Sequence, residues 1–311
     1  MKNYFLICFL PLLFSCGNRA TKMRSPELPA TGHRESLGLV SSQYVAARQV
    51  DVWLPPGYTP TRRYPVLYMH DGQMLFDAAT TWNHQEWGVD EVLDSLIGAG
   101  IIPPCLVVGI WNGGSSRHAD YFPQQPFESL PAAYRDSLLR AQRNPETALF
   151  STHVQSDNYL KFVVEELKPQ IDAQYATLSE RAHTYVAGSS MGGLISMYAL
   201  CEYPTVFGGA ACLSTHWTGI FSAENNPIPA AFMAYLRTHL PDPATHRLYF
   251  DYGTETLDAL YEPFQLQADA ILREKGYSAA NWQTLKFVGA DHSERAWQAR
   301  LAIPLTFLMK Q

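Results

Sequence analysis

Short apolar runs rich in β-branched and aromatic residues recur along the chain, separated by longer stretches whose apolar positions follow helical spacing. The runs Gln49 to Leu54, Pro65 to Met69, Leu106 to Trp111, Thr184 to Gly188, Gly209 to Leu213, Leu248 to Tyr252 and Trp282 to Val288 read as strands. Helices are predicted at about Trp87 to Ile97, Tyr159 to Gln174, Leu194 to Tyr203, Ala230 to Leu240, Phe264 to Lys275 and Glu294 to Met309. Strands that are apolar along nearly their whole length must be covered on both sides. The pattern therefore predicts one α/β domain, a doubly wound, mostly parallel sheet with helices on both faces. Trp111 to Thr152 breaks the pattern, with Asn112-Gly113-Gly114, two prolines flanking Gln124-Gln125 and a short helical piece around Ala132 to Ala141. An excursion of that length from the C-terminal end of a strand reads as a lid facing a ligand site.

The first residues follow a different pattern. Lys2 supplies a short positive region, and Tyr4 to Phe14 is apolar but too short to span a bilayer as a mature helix. Leu13-Phe14-Ser15-Cys16-Gly17 then resembles the lipobox of bacterial lipoproteins. That resemblance implies acylation of Cys16, a mature chain that starts there, and a place in the cell envelope with the membrane reached only through the N-terminal lipid. Gly17 to Arg34, with its Pro, Ser, Thr and basic residues, reads as a flexible tether. The expected organisation is a signal at 1–16, a tether at 17–43 and a folded domain at 44–311.

A chain of 311 residues, 47% hydrophobic and 17% charged, is long and apolar enough to bury a sizeable core. Its net charge of −6 and the lack of a Lys/Arg stripe argue against nucleic acid as a partner. Once Cys8 is lost with the signal and Cys16 carries lipid, Cys105, Cys201 and Cys212 remain, each in an apolar run. No CxxC or Cys/His metal spacing accompanies them, so buried free thiols and no metal are expected.

Candidate chemistry centres on Gly188-Ser189-Ser190-Met191-Gly192, between the strand-like Tyr185 to Ala187 and the helix-forming Leu194 to Cys201. This is the context of a nucleophile elbow, with Ser190 as the attacking hydroxyl. Glycine two positions to either side removes the collisions that a sharp strand-to-helix turn would impose, and the Met191 N–H at the helix start is placed to stabilise an oxyanion. A serine hydroxyl needs a base, and the base an orienting acid. His292, in Gly289-Ala290-Asp291-His292-Ser293-Glu294 between a strand and the terminal helix, is better placed than His216, His239 or His246. Three carboxylates follow the strand near Phe250. Asp251 lies within the strand, whereas Asp258 and, as the alternative acid, Glu255 lie in the loop beyond Gly253. A second oxyanion amide is expected from Gln73 or Gly72 in His70-Asp71-Gly72-Gln73, where glycine permits close approach of backbone to a ligand. Trp82, Trp87, Tyr121 and Trp217 offer an aromatic platform for a sugar or aryl group.

Arg48 to Leu54 with Pro55-Pro56-Gly57-Tyr58, Tyr64 to Gln73, Gly188 to Gly193 and the region of His292 together resemble the putative-esterase family. That family includes siderophore esterases, feruloyl esterases, S-formylglutathione hydrolases and mycolyltransferases. The resemblance covers roughly residues 44 to 311 and implies an α/β-hydrolase fold and ester cleavage through a serine, without metal or organic cofactor. It also implies a small-molecule or polysaccharide ester as partner, either a carbohydrate-linked acetyl or feruloyl ester or a siderophore lactone. Two alternatives keep the fold: an acyltransferase that uses the same acyl-enzyme, and a catalytically inactive surface binding lipoprotein. Arg117, Ala119, Asp120 and Tyr121 resemble a recurring segment of the family, in which the arginine is either a salt-bridged structural residue or a substrate clamp. The acid loop departs from the feruloyl esterase pattern, so the choice between Asp258 and Glu255 stays open at this point.

Overall fold

The computed structural model describes residue 1, residues 31–151 and residues 153–310; the expected signal and its Cys16 lie outside the described residues. Eight strands form one sheet: β1 (His33–Val40), β2 (Arg48–Leu54), β3 (Val66–His70), β4 (Leu106–Ile110), β7 (Thr184–Ser189), β8 (Gly209–Leu213), β9 (Arg247–Gly253) and β10 (Trp282–Phe287). They run in the order β1-β2-β4-β3-β7-β8-β9-β10. The β1/β2 and β2/β4 pairs are antiparallel and all others parallel. β5 (Gln142–Asn144) and β6 (Thr147–Ala148) make a separate hairpin.

Residues alternate between two apolar layers along each central strand. Val66, Tyr68, Val186 and Ala210 pack into one layer, while Leu67, Met69, Ala187 and Ala211 pack into the other. Every residue of β3, β4, β7 and β8 is buried, which is why these strands carry continuous apolar runs rather than alternation. All seven predicted strands are present, with ends within a residue or two.

Four expectations change. The tether was expected to extend to residue 43, but β1 occupies His33–Val40 and pairs with β2 as the sheet edge. Most β1 residues are exposed, so it lacks the apolar alternation that marks a strand in sequence. The helix expected at Tyr159 to Gln174 starts at Ser156 and contains a widened turn at Phe162–Leu167. Pro169 follows that turn and cannot donate to the carbonyl four residues back, which accounts for the local widening. The terminal helix is two, Glu294–Gln298 and Ala302–Met309, with Pro304 in the first turn of the second, where an N–H is dispensable. The segment 111–152 is more than a lid. It folds into helices Arg117–Tyr121, Gln124–Ser129 and Ala132–Arg140 and contributes Tyr121, Phe122 and Phe127 to the core. Cys105, Cys201 and Cys212 are buried and unpaired.

Candidate active site

Ser190 stands between the end of β7 and the helix Met191–Glu202, at φ 55°, ψ −120°. A non-glycine residue at positive φ carries about 1–3 kcal/mol of strain, which surrounding bonds must offset. Here the Ser190 N–H donates to the Leu213 carbonyl at 2.9 Å, and the Ser190 carbonyl accepts from Gly193, Leu194 and His216 at 3.0, 3.1 and 3.2 Å. Of the flanking glycines, Gly188 has the predicted steric role, whereas a Cβ on Gly192 would meet only side chains, Asp71 Oδ2 at 3.3 Å and His70 Cβ at 3.5 Å. A Cβ on Gly188 would lie 2.7 Å from the Gly192 backbone, so strand and helix meet only because position 188 has no side chain. The Met191 N–H opens the helix and has no acceptor within it.

His292 lies in the loop after β10, and the loop after β9 is pinned against it. The Ala290 carbonyl accepts from Thr254 and Glu255 N–H at 3.0 Å, and the His292 N–H donates to Thr256 Oγ1 at 2.9 Å. A Cβ on Gly253 would sit 2.1 Å from the Ala290 oxygen, so this approach also requires glycine. The result is a 2.5 Å contact between His292 Nδ1 and Asp258 Oδ1. Asp258 is fully buried, and its other oxygen accepts from the Gly253 N–H at 2.5 Å and the Ser214 hydroxyl at 2.6 Å. Trp297 and Tyr261 stand edge-on to the imidazole, with centroids at 5.1 and 5.9 Å. Glu255 is exposed and, among the described residues, its side chain bonds the Thr254 hydroxyl alone, at 3.5 Å. The structure thus brings Asp258, and not Glu255, to His292. Asp251 is held elsewhere, by Arg300 at 2.9 Å and Tyr249 at 3.0 Å.

Ser190, Met191, His292 and Gln73 line one cleft of ≈ 670 Å³, together with His216, Arg117 and Asn112. Gln73 lies in the tight turn Gly72–Met74 that follows Asp71 at φ 58°. Gly72, the other expected donor, is buried in that turn. A Cβ there would lie 2.6 Å from the Gly109 carbonyl carbon, so the turn packs on β4 only because position 72 has no side chain. Behind the turn, Arg117 grips Asp71 with Nε and Nη2 at 2.6 and 2.7 Å, and Asn112 adds a third bond at 2.7 Å. Burial alone would raise the Asp71 carboxyl, but Arg117 and Asn112 hold it below its ordinary value. Of the two roles left open for Arg117, the salt-bridged one is present.

His216 also faces the cleft, but its Nδ1 is engaged by the Tyr261 hydroxyl at 2.6 Å rather than by a carboxylate. Burial, with His118, His292, Arg117 and Arg143 nearby, pushes its pKa well down. Of the four aromatics expected to form a platform, Trp217 and Tyr121 are fully buried, and Trp217 donates to Gln265 inside the core. Trp87 and the strongly exposed Trp82 do reach the cleft. Sequence reasoning missed Ser214, Tyr261, Arg143 and Phe221. Ser214 was open to detection, since Ser214-Thr215-His216 follows the strand beside the elbow, at the C-terminal ends where α/β sheets build their sites.

A serine on a strained strand-to-helix turn, a carboxylate-bound imidazole and helix-start amides around one cleft are an arrangement that can activate a hydroxyl and bind a tetrahedral oxyanion. Fold and cleft together define an α/β-hydrolase. The chain belongs to the family described as Putative esterase, which matches residues 41–308, and is by class a carboxylic ester hydrolase. It is 24% identical over 220 residues to the uncharacterized protein YbbA of Bacillus subtilis (strain 168), covering 70% of this chain and 72% of that one. It is 27% identical over 169 residues to the ferri-bacillibactin esterase BesA of the same organism, covering 52% of each. The ferulic acid esterase AmCE1/Fae1A of the anaerobic fungus Anaeromyces mucronatus shares the fold, with TM-score 0.60, 20% identity and 96% and 97% of the two chains covered.

Proposed function

We propose that the chain is a serine esterase in which Ser190 is the nucleophile, His292 the general base and acid, and Asp258 the group that orients the imidazole. The observation that carries this reading is the 2.5 Å contact between His292 Nδ1 and a fully buried Asp258, in loops that border the strained Ser190 turn. Ser190 Oγ attacks the ester carbonyl while His292 Nε2 takes its proton, and the carbonyl oxygen becomes an oxyanion facing the Met191 and Gln73 amides. His292 then gives the proton to the departing alcohol. Water attacks the acyl-enzyme, His292 takes a proton from it, and that proton passes to Ser190 Oγ as the acid leaves. Asp258 stays ionised throughout and stabilises the imidazolium.

The substrate proposed is a carbohydrate-linked acetyl or feruloyl ester or a siderophore lactone. Similarity to the ferulic acid esterase AmCE1/Fae1A and to the ferri-bacillibactin esterase BesA supports the feruloyl and siderophore esters, and Trp82 and Trp87 along the cleft support a flat or ring-bearing group. Turnover of acetylated xylan, methyl ferulate and a catecholate trilactone by the same preparation separates these. The reading expects one to exceed p-nitrophenyl acetate in kcat/KM, and no hydrolysis of any ester contradicts it. The lipobox resemblance further supports attachment to the cell envelope through Cys16. A diacylglyceryl adduct on the mature N-terminus is expected by mass spectrometry, and an unmodified N-terminus contradicts the anchor.

A further inference from the structure

The rim of the cleft carries a cation that the ester mechanism does not use. Arg143, on the hairpin strand β5, lines the cleft with its guanidinium 5.7 Å from the centre of the Phe221 ring. No hydrogen bond or ion pair from the described residues reaches that guanidinium. Phe221 is half exposed, at 52%, a large apolar surface left open at the mouth of a polar cleft, and its ring packs on His216 at 5.8 Å.

The neighbouring groups do not neutralise Arg143. Arg117, on the same cleft, is already committed to Asp71 by two short bonds. His118 and His216 are held neutral, first by burial and then by the positive charges around them. Arg143 itself lies on an exposed strand, and the partial burial of its side chain, followed by the charge of Arg117, pushes it down from its ordinary value. Arg143 is exposed and so carries its charge in water at little cost, and with no carboxylate of the described residues bonded to it the guanidinium is open to an anion entering the cleft. Arginine beside an open aromatic face further suits a carboxylate carried on an apolar body, which the ring covers while the guanidinium takes the charge.

We propose that Arg143 and Phe221 form a subsite for a carboxylate-bearing part of the substrate, making this an esterase for anionic esters. The proposal rests on the esterase reading and adds the charge of the substrate to it. The contact is made with a part of the substrate away from the scissile carbonyl, so it acts through selection among esters rather than through the chemistry of cleavage.

The test uses two matched pairs with the full protein: mono-4-nitrophenyl glutarate and its methyl ester, and 4-carboxyphenyl acetate and its methyl ester. The first pair places the charge on the acyl side and the second on the alcohol side. In Arg143→Gln, kcat/KM for the anionic member of one pair is expected to fall about tenfold or more relative to its neutral partner. Arg140→Gln, a control that removes the same charge from a nearby helix, is expected to leave both ratios as in wild type. In wild type, added salt should raise KM for that anionic member and not for its partner. Equal losses for both members in both pairs, or none, overturn the subsite while leaving the esterase reading intact. Absence of hydrolysis of every ester by wild type overturns both. If Arg143→Gln lowers the melting temperature, the salt dependence in wild type decides alone.

Discussion

The Ser214 hydroxyl donates to Asp258 Oδ2 at 2.6 Å, and the same oxygen of Ser214 accepts from Trp297 Nε1 and Arg300 Nη2, each at 2.9 Å. One buried serine thus ties the carboxylate beside His292 to a tryptophan that packs on that imidazole. Through Arg300 it also reaches the Asp251 network under β9. Ser214 has φ 42°, a second strained residue one strand over from Ser190. A carboxylate bonded on both oxygens keeps one orientation, and the imidazole follows.

Ser214→Ala is expected to lower kcat with little change in KM. Losing a hydrogen bond to a charged group costs about 1.5–3 kcal/mol, or about ten- to a hundredfold in rate if it is felt wholly in the transition state. Steady-state hydrolysis of p-nitrophenyl acetate checks this, and an unchanged kcat would mean that Gly253 alone holds Asp258.

Asp258→Asn should cost roughly two to four orders of magnitude in kcat, since an amide neither fixes the imidazole tautomer nor stabilises imidazolium. Glu255→Gln should stay near wild type, because that side chain is exposed and it is Asp258 that bonds the ring. A reversed ranking, or two mild variants, contradicts the assignment.

Gly188→Ala is expected to destabilise the fold by about 2–3 kcal/mol, at the upper end of overpacking, because the added Cβ meets backbone rather than a movable side chain. Urea unfolding measures it. A loss under about 0.5 kcal/mol would show that strand and helix can separate at the elbow without cost.

Acid should destabilise the protein well before its carboxylates protonate. Burial pushes His70 and His118 down to about 3, and His216 well down, from an ordinary 6.5. Below about pH 6.5 the unfolded chain binds protons that the folded protein does not, so stability falls with decreasing pH until the folded values are reached. Each histidine contributes about 1.4 kcal/mol per pH unit in that window. Unfolding free energies across that window should show a shallower slope for His118→Phe than for wild type, by about one proton; equal slopes contradict the neutral buried state.

The central strands were legible because burial on both faces writes itself as unbroken apolar sequence, and the elbow because Gly188 answers a close backbone contact with Gly192. β1 was not legible, since an exposed edge strand is held by backbone bonds to β2 that leave no side-chain pattern. The acid was narrowed to two residues by chain order alone. The choice between them depends on the closure of the Gly253 turn onto Ala290, a contact between loops distant in sequence. The packing of Gly72 on Gly109 was not legible either, because a glycine demanded by a neighbouring strand looks the same in sequence as one demanded by a ligand. Trp217 and Tyr121 misled because a buried aromatic has the same letter as a displayed one.

The nucleophile is tested most directly by reacting the protein with a fluorophosphonate and mapping the adduct by peptide mass spectrometry as activity is lost. One phosphonyl group per chain, on Ser190, with loss of ester hydrolysis in proportion to labelling, is the predicted result. Labelling of another residue in proportion to lost activity, or full activity in a chain labelled on Ser190, would contradict the account.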